Sequence, residues 1–478
     1  MLPMVGRLRA AGRSPSAVSA AIVACLGLAA SFGGVVLSGT KTGTAIALAA
    51  VLGPVLLALS LFSPMIFPFG LYALLTPFDA ILLISSASTV TKIVGAFSAA
   101  AVLFFLLRTK RIADPDRSVA VWLVYTLWLM SSVFWAIDVK TSLQLLPTAL
   151  LLFGLYAVVS LVRVNQATLD AVSRFVMAGG TAAAAYSLYL YHTGVAIKEQ
   201  RLWLVTDNGL NWNPDHLSAA LLLPLALAIV SVVFGRTILQ RLLGLACAGV
   251  MLPTLVLTGA RGPELGLLVI VAYLIIREPN RARLAWPLAI ALGLGGLAAA
   301  PALISRWSLA ASTGGAGRMD IWHVGWHAFK ENWLFGAGFN NFSLAYDRSM
   351  MTVFQPQYIG WDRASHNIFV GNSVELGIIG LALLLVGWYM QFRALRGIGP
   401  DDPRFRMRIV LEASLLGLFV SGFFADVMLT KYLWLAFMMV SLTRNAGPQR
   451  VSVPSRTAQA QVQTQSAVQT QGGVQTYA

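Results

Sequence analysis

The chain has 478 residues, 57% of them hydrophobic and only 11% charged, with a formal charge of +15 and a mean hydropathy of +0.74. Such a composition excludes a water-soluble basic protein, whose cations would lie on polar surface, and with it a nucleic-acid binder. Continuous apolar runs of about 20 residues, rich in Leu, Ala and Gly, also exclude an outer-membrane barrel, which alternates apolar and polar positions over short segments.

Taken in chain order, the runs between Gly, Pro and charge punctuation predict an all-α polytopic transmembrane bundle of about twelve to fourteen spans. The expected ranges are 17–38, 43–62, 64–84, 90–107, 119–137, 143–162, 170–191, 217–234, 239–257, 262–276, 284–304, 367–391, 408–427 and 428–443. Arg7, Arg9 and Arg13 precede the first run as in a signal peptide, but that run is long enough to span and is read as the first membrane helix. Pro64, Pro68 and Pro77 weaken the third range. The near-contiguous pairs 43–62 with 64–84 and 408–427 with 428–443 leave room for broken or re-entrant helices. Cys25 and Cys247 fall inside apolar runs, where a thiol acts as a small hydrophobe.

The Lys and Arg residues supply an independent check, because successive loops must alternate in cation content if the spans are right. With the N-terminus inside, twenty-one fall on the inner side and twelve on the outer, leaving Arg174 in the first turns of a span. Two outer connections are substantial, at roughly 192–216 and 305–366. Beyond Asn445 a Gln, Thr, Ser and Val tail without apolar periodicity reads as a disordered cytoplasmic segment. The expected organisation is N-terminal spans over 1–204, a region carrying the outer loop over 205–443, and the tail at 444–478.

Within the larger loop, Met319, Trp322, Trp326, Phe329 and Trp333 recur at helical spacing between glycine clusters. This aromatic stripe suits the membrane interface or a dock onto the bundle. The opposite face carries Asp320, His323, His327, Lys330 and Glu331, and no further His or Cys cluster follows, so a bound metal is not expected. Three polar features near the outer surface stand out. Arg261 sits at the tip of the break Thr258-Gly259-Ala260-Arg261-Gly262, with Glu264 available as a partner. Arg318 opens the amphipathic helix, where an anionic ligand or a loop acid could neutralise it. His366, in Ser365-His366-Asn367, marks re-entry of the loop into the membrane.

Read in order, Gly317-Arg318-Met319-Asp320-Ile321-Trp322, then Trp333-Leu334-Phe335-Gly336-Ala337-Gly338-Phe339-Asn340-Asn341-Phe342, then Ser365-His366-Asn367, then Glu375-Leu376-Gly377-Ile378-Ile379-Gly380 resemble the C-terminal signature of the O-antigen ligase and O-antigen polymerase superfamily. Asn213-Pro214-Asp215-His216 and Thr258-Gly259-Ala260-Arg261-Gly262 fit upstream, with Ala260 standing where relatives often carry Ser. The resemblance covers roughly 205–443.

It implies a bacterial inner-membrane glycosyltransferase with cytoplasmic termini, moving a glycan from a polyprenyl diphosphate carrier to an acceptor hydroxyl on the periplasmic side. The acceptor would be a growing glycan, the lipid A core or a protein hydroxyl. Membrane lipids would be the other partners, and neither cofactor nor nucleic acid is expected. On that footing Arg261 and Arg318 clamp the diphosphate, His366 takes the acceptor proton, and His216, Glu375 and Asn367 are secondary candidates. Without an outer carboxylate pair, a single inverting displacement is expected. A transporter or lipid flippase is the competing reading, disfavoured because the spans are nearly free of charge, Glu375, Glu412 and Asp426 being the main exceptions.

Overall fold

Helices with few outward-facing polar residues dominate the computed structural model, which describes residue 53 and residues 55–85, 88–110, 112–198, 201–205, 211–278, 317–353 and 360–447. The expected spans 17–38 and 284–304, most of 43–62 and the tail beyond 447 lie outside the described residues. In chain order the elements are α1 Phe69–Leu75, α2 Val90–Thr109, α3 Arg117–Ser131, α4 Val139–Ser160, α5 Gln166–His192, α6 Pro214–Phe234, α7 Ile238–Thr258 and α8 Arg261–Arg277. After the undescribed stretch come α9 Arg318–Glu331, α10 Phe342–Met350, α11 Ile368–Ala394, α12 Phe405–Ser421 and α13 Lys431–Asn445. Among the described residues, sheet is confined to short pairs of two or three residues.

Local chemistry sets many of the helix starts. Asn213 accepts from the Asp215 N–H and Pro214 occupies the first position of α6, where its missing donor costs nothing. Thr237 and Gln240 form a reciprocal capping box on α7, which ends at Gly259 with φ 57°. Asp138 accepts from Lys140 and Thr141 N–H at the head of α4, and Asn165 from Thr168 N–H at the head of α5.

Among the described residues, six helices are long and apolar enough to cross a membrane: α2, α3 with its 3-10 extension to Trp135, α4, α6, α7 and α11. The region 64–84 differs from the expected span. It forms a turn, the 7-residue α1, a 3-10 turn at Thr76–Phe78 and a short hairpin. Three prolines within 14 positions withhold donors and crowd the preceding turn, so no continuous helix propagates. Lys431, buried at the head of α13, pairs with Asp79 beside Thr89 and ties this segment to the bundle.

A helix apolar all round is stable only when surrounded. α6 meets that condition, packing on α5, α7, α8, α12 and α13. α13 is likewise buried from Lys431 to Thr443. Between α3, α4, α11 and α13 lies an aromatic cluster of Trp122, Tyr156, Trp388, Trp434 and Phe437. Close approaches use small residues, as where Gly387 faces the Trp122 ring and Gly266 faces the Gly417 carbonyl.

The two ends of the bundle differ. At one end Arg404 donates to the Thr443, Arg444 and Ala446 carbonyls, Arg444 reaches the Asp114 carbonyl, and Val164–Asn165 pairs with Ala446–Gly447. The other end holds the loops around 132–141, 201–205, 211–216, 258–261, 317–342 and 360–375.

At that second end α11 is broken. Gly377 has φ 68° and ψ −168°, a region open essentially to glycine alone. The backbone groups freed there are taken by the segment after α9. Ala337 N–H donates to the Val374 carbonyl at 2.8 Å, Gly338 N–H to the Glu375 carbonyl at 2.9 Å, and Ile378 N–H to the Trp333 carbonyl at 2.8 Å. The approach is tight enough that a Cβ on Gly336 would lie 2.3 Å from the Glu375 oxygen, and one on Gly377 2.2 Å from the Leu334 oxygen.

Gly377→Ala is therefore expected to lower the unfolding temperature by an amount equivalent to about 1–3 kcal/mol or more. Gly397→Ala, where a Cβ meets nothing within 4 Å, serves as the neutral control. Equal melting of the two variants in detergent would show that the break does not need glycine.

Candidate functional site

The site lies at this second end and begins with Asp215. As the second residue of α6 it is held by the Asn213 cap, and its side chain is nearly buried. The guanidinium of Arg318 meets one of its carboxylate oxygens at 2.7 Å, and Arg201 approaches the other at 4.0 Å. Arg201 also donates to the Thr258 carbonyl at 2.8 Å and the Gly259 carbonyl at 3.3 Å, clasping the turn that presents Arg261. Arg261 lies within electrostatic reach of Arg318, Asp215, Arg201 and Glu264.

Three guanidiniums thus gather near one buried carboxylate, a set whose excess positive charge suits a multiply charged anion. Arg318 follows Gly317, whose φ of 80° starts α9 abruptly, and turns back to α6. The pairing with an acid that the sequence left open is made, and the acid is Asp215, 103 positions away.

His366 stands beside this group. Its φ of 47° is unusual for a residue with a Cβ, and its neighbours enforce it. Trp322 of α9 donates its indole N–H to the Ser365 carbonyl at 2.9 Å, while Asn367 caps α11 by accepting from Phe369 and Val370 N–H. Burial holds the imidazole below its ordinary value, and the Arg318 charge pushes the same way against the opposing pull of Asp215. At neutral pH the ring is consequently a neutral base.

Next to His216 a cavity of about 300 Å³ opens between α3, α4, α6, α11 and the α12–α13 loop. Its polar lining is Tyr125, His216, Asn340, Asn372, Glu375, Asp426 and Thr430, and its apolar wall includes Leu145, Phe339, Ile368, Met428 and Leu429. His216 Nδ1 is 3.0 Å from the Tyr432 hydroxyl. Asn372 donates to the Tyr125 hydroxyl at 2.6 Å, while its carbonyl oxygen has no hydrogen-bond partner among the described residues. Glu375, in the last turn before the Gly377 break, accepts from the Phe342 N–H at 3.3 Å. Burial pushes the Asp426 carboxyl up to about 6, an effect moderated by the Met428 N–H.

Arg261 and His366 each lie within electrostatic reach of Arg318 and Asp215, with His216 and Glu375 on the wall of the adjoining cavity. Asn367 is committed to capping α11 through its side-chain oxygen. Sequence reasoning does not mark Asp215, Arg201, Asn340 or Asn372 as site residues, and marks Asp426 only as a charge within a span. Asp215 stood inside a motif beside His216, and its chemistry becomes visible only once Arg318 folds onto it.

The aromatic stripe of α9 is divided, with Trp322 and Phe329 packed against the bundle and the rest outward. The helix buries Ile321, Val324, Gly325 and Ala328 against α10 and α11, while Met319, Trp326 and Trp333 remain exposed. Gly325 explains the choice of face, because its missing side chain admits Val370 and Phe342 closely.

Residues 246–385 match the family described as O-antigen ligase, a segment that runs from α7 through the Gly377 break and contains Arg261, Arg318, His366 and Glu375. This supports the likeness to the O-antigen ligase superfamily that the motifs suggested. No curated protein matches the chain.

The Arg318–Asp215 pair is largely removed from water, so deleting one partner strands the other. Asp215→Ala should destabilise the detergent-solubilised protein by about 3–5 kcal/mol, read as a fall in unfolding temperature. An unaltered melting curve would mean that Arg318 finds another counter-ion.

Proposed function

We propose that the protein transfers a glycan from a polyprenyl diphosphate carrier to an acceptor hydroxyl on the outer face of a bacterial inner membrane. The family match supports a glycan-transferring membrane enzyme in general. The observation that carries the finer reading is the adjacency of a neutral imidazole, His366, to the Arg318–Asp215–Arg201 cluster with Arg261 in reach. Such a juxtaposition suits a reaction in which a diphosphate departs while a hydroxyl loses its proton.

In this scheme Arg261 and Arg318 bind the diphosphate oxygens, and Asp215 holds Arg318 in position. Their charge counters the negative charge that grows on the leaving group, which favours the transition state over the ground state. The acceptor oxygen attacks the anomeric carbon as His366 removes its proton. The bond from that carbon to the diphosphate oxygen breaks, and the carrier diphosphate leaves with the electron pair. The cavity beside His216 and Glu375 supplies hydrogen-bonding groups for sugar hydroxyls. One displacement inverts the anomeric centre, and all the charge stabilisation comes from side chains, so no metal or nucleotide is required.

The orientation follows the cation distribution, which assigns the Arg404 end to the cytoplasm and the His366 end to the periplasm. Glycan, lipid A core and protein hydroxyls all satisfy the acceptor chemistry.

With a lipid-diphosphate-linked glycan as donor, transfer should proceed in the presence of a chelator; strict dependence on a divalent cation would sink the scheme. His366→Ala should lower turnover by about 10²–10⁴-fold at unchanged protein level. Wild-type turnover in that variant would remove His366 from the reaction. The pH profile offers a separate check. Because burial and Arg318 depress the His366 pKa, the base is lost only as pH falls through a value below 6.5. The acidic limb of kcat/KM should therefore have its midpoint below 6.5, and a midpoint above it would contradict the assignment.

A further inference from the structure

At the opposite end of the bundle a second cavity, of about 370 Å³, opens between the start of α3, the last turns of α11 and the end of α13. Asp116, Arg117, Met390, Arg393, Ala394 and Arg444 line it, so three guanidiniums face one carboxylate. That carboxylate is already engaged. One oxygen accepts from the Ser118 N–H and hydroxyl at 3.3 and 2.9 Å, and the other lies 4.0 Å from Arg444. Arg444 in turn donates to the Asp114 carbonyl at 2.8 Å. Arg117 and Arg393 make no side-chain hydrogen bond or ion pair with any described residue. Two cations on separate helices thus face one concave site in which Asp116, already engaged, is the one carboxylate among the described lining residues.

The surface leading away from the cavity is apolar. Along α11 the exposed residues Leu385, Val386 and Tyr389 precede Arg393, and along α3 Leu123, Val124 and Leu127 follow Arg117. The two helices pack together through Trp122 and Gly387, which leaves these rows on the outer surface of the pair. Both helices are long and apolar enough to cross a bilayer, so their ends lie at headgroup depth. An anion permanently present at that depth, with hydrocarbon attached on its membrane side, is the phosphate of an acidic phospholipid.

We infer that this cavity is a binding site for the phosphodiester headgroup of an anionic phospholipid, held by Arg117, Arg393 and Arg444, with its acyl chains along α3 and α11. Asp116 limits the excess charge and orients Arg444. The methylene stems of the arginines, Met390 and Ala394 cover the glycerol region. A lipid here bridges α3, α11 and α13, the helices that enclose the aromatic cluster, so its binding should stabilise the bundle. The site does not depend on the glycan-transfer reading, because neither donor nor acceptor enters the test.

Thermal unfolding of the purified full-length protein, followed while phosphatidylglycerol is titrated into detergent micelles, reads the site directly. The wild type should gain several degrees with phosphatidylglycerol and little with phosphatidylcholine at the same mole fraction. In the Arg117→Gln/Arg393→Gln variant the half-saturating phosphatidylglycerol concentration should rise about tenfold or more, the loss expected for charged phosphate contacts. An Arg236→Gln/Arg277→Gln variant removes equal charge from the same end away from the cavity and should keep the wild-type titration. Three results overturn the inference: no stabilisation of the wild type, equal weakening in both double variants, or the full shift reproduced by inorganic phosphate alone.

Discussion

Hydrocarbon offers no hydrogen bonds, so a helix interrupted inside a membrane protein must find every freed backbone group a partner in the protein itself. The interruption of α11 at Gly377 meets this demand with the segment that follows α9, and much of the second end of the bundle is arranged around that exchange. The segment is fastened on its other side as well. Asn341 accepts from the Asp138 N–H, Ser142 donates to the Phe339 carbonyl, and the Phe339 N–H donates to Ser132. Through these bonds the end of α3, the head of α4, the loop after α9 and α11 become one unit. Glu375 and Asn340 reach the same cavity because of it.

The Asp215–Arg318 pair does related work between distant parts of the chain. It fastens the head of α9 to the head of α6, while Trp322 one turn further along fastens α9 to the peptide before His366. A short helix thereby sets the separation between a cationic cluster and an imidazole. Such rigidity is what chemistry dominated by electrostatic stabilisation requires, since dipoles and charges that need not reorganise act at full strength.

Much of the bundle was legible in the sequence because uninterrupted apolar length is a one-dimensional property. The runs at 90–107, 143–162, 217–234 and 239–257 reappear as helices with ends shifted by a few residues. Where the reading was less secure, the cause was local chemistry competing with hydropathy, as in the proline-broken stretch 64–84. The arginines and the histidine of the site were legible as residues out of place beside a membrane, whereas their partners were not. Nothing in the order of residues says that Arg318 meets Asp215, or that Arg201 clasps the turn before Arg261, because those encounters are products of folding. In α9 the large side chains carry the helical period visible in the sequence, while Gly325 and Ala328 decide how closely the helix approaches its neighbours.

The way the outer loop docks also restricts how a substrate could ever reach the cavity beneath it. Lifting residues 333–338 would strip three hydrogen bonds from the Gly377 break, each worth several kcal/mol in a setting without water to replace it. That segment is a keystone rather than a door. A route into the cavity that spares those three bonds is the less costly one.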